Sequence, residues 1–386
     1  MTSVSVVGAG TAGSLTVAQL SRFTDADISW YFDPEQPPVS VGEAATLSMP
    51  QFLDRVADYT HDDLSKINGT HKTGIKKVGW GDTDFTHNFP PYNVSMHFTA
   101  DAMQQYLCEK VGGRENVTMV PERVSHDDLD TDYVVDCTGL PAETTPEMNT
   151  DMFIPVNSSY VVRIPWEEAE YSKSFHFARK YGWVFGVPTE THLSLGYQFN
   201  RRFNNADEVS RDLEAVVEYL DIDADVSGGL TLEYEPYFRT PTFSDNTFYN
   251  GNAGCFLEPL EATSLSTSLN VISHIWNIVD GNRSAEAAQA LFEREVRATE
   301  GVVMMHYLAG SRWESPFWDY AQERGRECME RLSVEDPEWN NYINGVGGDG
   351  DLGSWPKKSF DLNIDKLGIR DELQKISRSN RRYVVT

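Results

Sequence analysis

Six residues near the start, Gly8-Ala9-Gly10-Thr11-Ala12-Gly13, constrain this chain more than any other stretch. They follow a short apolar run at 4–7 and open a segment whose pattern predicts a helix over 12–23. A second apolar run, 28–32, ends in Asp33-Pro34. Strand, tight turn, helix, strand and acid within about thirty residues make a βαβ unit. Gly8 serves the tight turn, Gly10 lets the backbone approach a pyrophosphate, and Gly13 lets helix and strand pack closely. Thr11 and Ala12 head the helix, where free N–H groups and the positive dipole end favour phosphate. Asp33 lies twenty residues after Gly13, where a carboxylate accepts hydrogen bonds from a ribose. A dinucleotide on a parallel sheet is the expectation.

The chain has 386 residues, enough for one large α/β unit with an added lobe. Residues 133–137 read as a buried strand running into Thr138-Gly139, and 99–111 as a helix. From about 152 to 234 short alternating runs appear, such as 159–164 and 192–199, the pattern of antiparallel strands. Residues 248–256 return to the first unit. Helical spacing then dominates at 260–279 and 285–307. The expected fold is α/β: a Rossmann-like GxGxxG domain with an inserted antiparallel β-sheet and a helical C-terminal lobe. Its boundaries are 1–150 with 235–300 for the nucleotide domain, 151–234 for the insert and 301–386 for the lobe. Near the end, 345–353 reads as a polar loop and 371–379 as a mixed-charge helix.

The formal charge is −27, from 59 acidic and 32 basic residues, which argues against a nucleic-acid partner. Cys108, Cys137, Cys255 and Cys328 form no CxxC pair, so reduced thiols are expected. No apolar run is long enough to span a bilayer, and with the first strand at about Ser3 no signal peptide is expected. A soluble, cytoplasmic protein follows, open to homo-oligomer formation. The nine histidines show no metal-ligand spacing, so no metal site is expected.

Several further segments carry a family resemblance. Val134-Val135-Asp136-Cys137-Thr138-Gly139 resembles the strand and Thr-Gly turn with which flavoproteins meet their nucleotide a second time. Tyr249-Asn250-Gly251-Asn252-Ala253 resembles their late ribityl-contacting segment. Both favour FAD over NAD. Trp183-Val184-Phe185-Gly186-Val187-Pro188, Asn68-Gly69-Thr70-His71-Lys72-Thr73-Gly74-Ile75-Lys76 and Cys255-Phe256-Leu257-Glu258-Pro259-Leu260-Glu261-Ala262-Thr263-Ser264 complete the set. From Val4 to about Tyr320 the chain resembles a short flavin-dependent halogenase of the tryptophan-halogenase family.

That resemblance implies an enzyme in which reduced FAD, oxygen and a halide give hypohalous acid, which halogenates an electron-rich aromatic of indole or phenol type. It assigns catalysis to Lys72 and Glu261 and leaves Glu258 structural. Lys76 is read on the same strand face as Lys72, where it competes for the role. FAD is assigned to Gly8, Gly10, Thr11, Ala12, Gly13, Asp33, Val41, Gly42, Ala44, Thr138, Trp183, Asn252 and Leu257. Halide is assigned to Thr263 and Ser264, and an aromatic substrate wall to Phe317 and Trp318. The family's WxWxIP motif has Phe185 for its second Trp and Val187 for its Ile, which keeps an apolar wall between flavin and substrate. Ser264 replaces the glycine of the family's Thr-Gly pair, which points from chloride toward bromide or iodide. No second GxGxxG follows a strand, so reduced flavin is expected from a separate NAD(P)H-dependent flavin reductase. The competing readings are an FAD-dependent aromatic monooxygenase and a catalytically inactive flavin-binding protein.

Overall fold

The computed structural model describes residues 2–36, 38, 41–166, 172–344 and 355–381. Its first layer is a five-stranded sheet in the order Thr247–Tyr249, Tyr133–Asp136, Ser3–Val7, Asp27–Tyr31, Val117–Val120, with every pair parallel. Ser3–Val7 sits in the middle, and its Val4 and Val6 are fully buried, as a strand covered on both faces requires. Helix Thr11–Phe23 follows the glycine turn, and helix Ala100–Val111 packs beside it. Thr247–Tyr249 arrives from a distant part of the chain, so this sheet is built from discontinuous segments.

The second layer is a seven-stranded sheet in the order Leu230–Glu233, Ser158–Pro165, His192–Phe199, Gly182–Pro188, Lys173–Arg179, Gly74–Val78, Phe85–Asn88. The last two strands come from the first hundred residues, so this sheet is not confined to 151–234. Lys173–Arg179 would otherwise present an open edge; Gly74–Val78 pairs with it in parallel and Phe85–Asn88 extends the sheet. Helix Ala206–Tyr219 covers one face through Val209, Leu213, Val216 and Val217. A three-stranded sheet in the order Gly42–Ala44, Ser95–Thr99, Thr70–Lys72 is built from the chain that runs from Asp27–Tyr31 to Ala100–Val111.

The C-terminal lobe is helical: Ala285–Ala309, Pro316–Glu335, Pro337–Ile343, Lys357–Leu367 and Arg370–Arg381. The expected boundary at 300 falls inside one unbroken helix of 25 residues that is buried from Ala298 to Leu308. A continuous buried face holds that helix together across the point where a division was drawn. The expected loop at 345–353 lies outside the described residues. Among the described residues no helix is long and apolar enough to cross a membrane.

Candidate active site

At the glycine-rich turn the backbone requires glycine at positions 8 and 13 and leaves open space at position 10. Gly8 has φ +107°, and a Cβ there would lie 2.5 Å from the Cys137 carbonyl oxygen. A Cβ on Gly13 would lie 2.1 Å from the Gly8 oxygen, so only glycine permits this approach of helix to turn. A Cβ on Gly10 would meet nothing within 4 Å. The helix behind it starts without a side-chain cap, leaving its first N–H groups for a ligand. Two other segments close on the same place. A Cβ on Gly251 would touch the Cβ of Ala12 at 2.6 Å, and Asn250 Nδ2 donates to Thr16 Oγ1 at 3.0 Å, which sets Asn252 beside the turn. Thr138 follows Cys137, its N–H and hydroxyl both donating to Asp136 Oδ1 at 2.9 and 2.7 Å. Asp33 is half-buried and accepts from the Glu35 N–H at 2.9 Å. An open glycine, an uncapped helix and three converging loops fit a dinucleotide.

The segment around Val41 ties this turn to the second sheet. Gly42 N–H donates to Ser194 Oγ at 3.0 Å, and Val187 lies beside Gly42. Thr11 Oγ1 donates to Glu43 Oε1 at 2.7 Å, between Gly42 and Ala44. Burial lifts the Glu43 carboxyl to about 7. Sequence reading passed over Glu43; its place next to Gly42 was the signal.

Strand Gly182–Pro188 is buried along its whole length. Trp183 is fully buried, and its Nε1 donates to Glu258 Oε2 at 3.1 Å. Tyr307 OH donates to the same oxygen at 2.7 Å. Burial lifts the Glu258 carboxyl to about 8, and Oε1 has no hydrogen-bond partner. Glu258 thus joins the aromatic strand to the helical lobe. Leu257 beside it is buried.

Lys72 ends strand Thr70–Lys72 and is 2 % exposed. Its Nζ donates to the Ala45 carbonyl at 2.9 Å and lies 5.6 Å from the centre of the Phe89 ring. Burial pulls its pKa down to about 8, against a partial restoring pull from Glu261. Lys76 is not on that strand. It belongs to Gly74–Val78, in the other sheet, and its Nζ lies 5.1 Å from the Tyr219 ring on the helix-covered face.

Lys77 is the residue that the sequence reading missed. It is fully buried, and its Nζ forms the ion pair with Glu261 Oε1. It also contacts Asn363 Oδ1 at 2.8 Å and His306 Nε2 at 2.6 Å. Alternation along Gly74–Val78 places Lys77 on the face of buried Ile75, which was the available signal. His176 Nδ1 lies 4.0 Å from Glu261 Oε1 with no hydrogen bond. His87 Nε2 meets Ser359 Oγ at 2.9 Å. Burial keeps His87 and His306 neutral, near 4 and 3, and His176 well below its usual range. The paired Glu261 stays well below the usual carboxylate range, held by Lys77 against its own burial.

Glu261 and Ala262 both adopt left-handed backbone, φ +60°, at the entrance to helix Thr263–Val279. Two consecutive non-glycine residues in that region cost about 1–2 kcal/mol each, and such strain concentrates at functional sites. The turn aims Glu261 at Lys77. The helix that follows has 17 residues and no side-chain cap. Thr263 is fully buried with its hydroxyl donating to the Glu258 carbonyl, and Ser264 is half-buried. The unbonded donors at this end are therefore backbone N–H groups.

Phe317 and Trp318, expected at a substrate wall, lie in the core. They are 0 and 2 % exposed, and Trp318 Nε1 donates to the Arg179 carbonyl at 2.8 Å. Trp318 packs on Trp80 at 5.6 Å, and Trp80 packs on Trp183 at 6.2 Å and His306 at 5.7 Å. Through Trp80 they pack toward Trp183 and His306, because the aromatic rings of both sheet and lobe must bury somewhere.

Residues 3–119 and 109–334 match the family model for tryptophan halogenase. Tryptophan 7-halogenase RebH of Lentzea aerocolonigenes is 21% identical over 416 residues, covering 81% of this chain and 77% of that protein. The tryptophan halogenase of Shewanella frigidimarina NCIMB 400 superposes with a TM-score of 0.77 at 17% identity, covering 99% of this chain and 94% of that one. Xcc4156, a flavin-dependent halogenase from Xanthomonas campestris, gives 0.78 at 18% identity with the same coverage, 99% and 94%. The glycine turn, the buried lysine and the glutamate at the strained helix entrance stand within these matches, and the chain belongs to the tryptophan halogenase family of flavin-dependent halogenases, which are enzymes.

Proposed function

We propose that this protein halogenates an electron-rich indole or phenol, with the halogen delivered through Lys72. The observation that carries the reading is the state of Lys72: a buried amine with one backbone acceptor, no carboxylate within 4 Å among the described residues, and a pKa brought down to about 8. Reduced FAD, when bound, supplies hypohalous acid from oxygen and halide. Gly8, Gly10, Thr11, Ala12 and Gly13 would hold its pyrophosphate, with Asp33, Val41, Gly42, Ala44, Thr138 and Asn252 around it. Trp183 and Leu257 would wall the flavin side. The backbone donors at Thr263 and Ser264 would hold the halide.

As an ammonium, Lys72 donates a hydrogen bond to the oxygen of hypohalous acid and makes the halogen more electrophilic. As a free amine it takes the halogen, forming an N–X bond and releasing water. Transfer to the ring breaks the N–X bond and forms the C–X bond, the nitrogen taking up a proton to return as the amine. From hypohalous acid held by the ammonium the O–X bond breaks instead, and the oxygen leaves as water with the ammonium's proton. Either route leaves a cationic ring intermediate. Glu261 stabilises that cation and accepts the displaced ring proton. The apolar strand around Trp183 keeps substrate from the flavin, which disfavours direct oxygenation. Phe317 and Trp318 support the site through Trp80. A separate NAD(P)H-dependent flavin reductase supplies the reduced cofactor, and Ser264 favours bromide or iodide over chloride.

The test is mass spectrometry of products from indoles and phenols incubated with FAD, a flavin reductase, NADH, equal chloride, bromide and iodide, and catalase. Halogenated product that disappears in Lys72→Ala supports the reading. Hydroxylated product without halogen moves the protein to the aromatic monooxygenases. FAD binding with no product in any variant makes it a flavin-binding protein.

A further inference from the structure

Two lysines reach the neighbourhood of Glu261, and they are in different states. The Nζ of Lys77 faces three acceptors. Glu261 Oε1 is one and Asn363 Oδ1, at 2.8 Å, is the second; Asn363 Nδ2 donates to the Ser359 carbonyl at 3.0 Å, which turns Oδ1 toward the lysine. The third is His306 Nε2 at 2.6 Å. His306 Nδ1 lies 2.9 Å from the Val302 carbonyl and must carry the ring proton, so Nε2 accepts. Three acceptors use all three N–H bonds of an ammonium. Lys72 has one backbone acceptor and a ring.

We propose that Lys77 is a positioning residue that takes the charge of Glu261, so that Lys72 stays free of the carboxylate and exchanges between ammonium and amine. Lys77 is saturated and touches neither substrate nor halogen. Without it, the one remaining cation near Glu261 among the described residues is Lys72, and pairing with the carboxylate would hold Lys72 as an ammonium. The other titratable groups facing the two lysines are His87, His97, His176 and His306, from three strands and the long helix of the lobe. All four are kept neutral by burial and cannot replace Lys77. The consequence for catalysis rests on the reading of Lys72 given above.

The test is a pH titration of the full chain labelled with ¹³Cε and ¹⁵Nζ lysine, with signals assigned by Lys72→Arg and Lys77→Arg. In the wild type Lys72 should lose its proton before Lys77. In Lys77→Met the Lys72 midpoint should rise by about one unit or more, and in Lys77→Met/Glu261→Gln it should return to the wild-type value. An unchanged Lys72 midpoint in Lys77→Met overturns the proposal. So does a wild-type Lys77 that deprotonates first, a result that needs no folded charge-removing variant. Halogenation by Lys72→Ala is scored separately, so failure of the proposed reaction is distinguishable from failure of this assignment.

Discussion

Lys77, rather than Lys72, holds the ion pair with Glu261, while Lys72 donates to the carbonyl of Ala45. The two lysines stand five residues apart in sequence, on strands of different sheets.

Lys72→Ala should remove halogenated product, with a loss on the order of 10²–10⁴-fold in rate. Oxidation of reduced flavin by the same variant should continue. Lys76→Ala should retain halogenation, since its side chain lies by Tyr219 on the other face of its sheet. Product formation by mass spectrometry, run beside a flavin-oxidation assay, checks both.

Glu261→Gln leaves the buried ammonium of Lys77 without its counter-charge. Breaking one side of a buried pair costs about 3–5 kcal/mol. Lys77→Met should cost a similar amount, and Lys77→Met/Glu261→Gln less than either. Denaturant unfolding of the three variants at neutral pH gives the coupling; simple additivity would refute it.

The pH dependence of stability has a definite sign at Lys72. Its pKa falls from the ordinary 10.5 to about 8 in the folded chain. Between those values the unfolded chain binds more protons, so this group makes stability rise as pH increases from about 8 to about 10.5. The full penalty is present below about 8. Lys72→Met should therefore be stabilising relative to wild type at pH 7, and that advantage should shrink by about 3 kcal/mol by pH 10. Urea unfolding at the two pH values measures it.

Glu258 behaves in the opposite sense. Its folded pKa lies near 8, above the ordinary 4.5, so its contribution falls as pH rises from about 4.5 to about 8. Because its carboxyl accepts from the Trp183 indole, the fluorescence of Trp183 should titrate near pH 8. The difference spectrum against Trp183→Phe isolates the signal, and Glu258→Gln should abolish the transition.

At the nucleotide turn, two glycines should answer differently to alanine. Gly13→Ala places a Cβ 2.1 Å from the Gly8 oxygen and should prevent folding of the turn. Gly10→Ala meets no protein atom within 4 Å and should leave the melting temperature near wild type. Its FAD affinity should fall about tenfold or more, ~1.4 kcal/mol. Calorimetry with FAD and a thermal melt separate the two effects.

The parts that were legible in sequence are those written in local order. The turn from Gly8 to Gly13 and the helix behind it needed only adjacent residues, as did the strand His192–Phe199. The chemistry around Glu261 was harder, because its partners lie far along the chain: Lys77 is 184 residues away, and Lys77 is itself 229 residues from His306 and 286 from Asn363. No local pattern announces a pairing at that range. The insert boundary was misjudged because a strand's edge partner is chosen in space: Gly74–Val78, with two lysines among five residues, carries no mark of the strand it will pair with until Lys173–Arg179 lies beside it. Phe317 and Trp318 read as a wall because an aromatic cluster looks the same in sequence whether it faces a ligand or a core.

The seven-stranded sheet joins chain from residues 74–88 to chain from 158–233. Neither portion is a detachable module. A cut at 150 would strip one lysine's strand from its neighbour and bare the edge of Lys173–Arg179. Two separately produced fragments would have to reassemble before either lysine met Glu261. Redesign of such a molecule has to be made in place, by exchanging side chains or lengthening loops, because whole pieces cannot be traded between relatives without dismantling the buried cluster around Glu261.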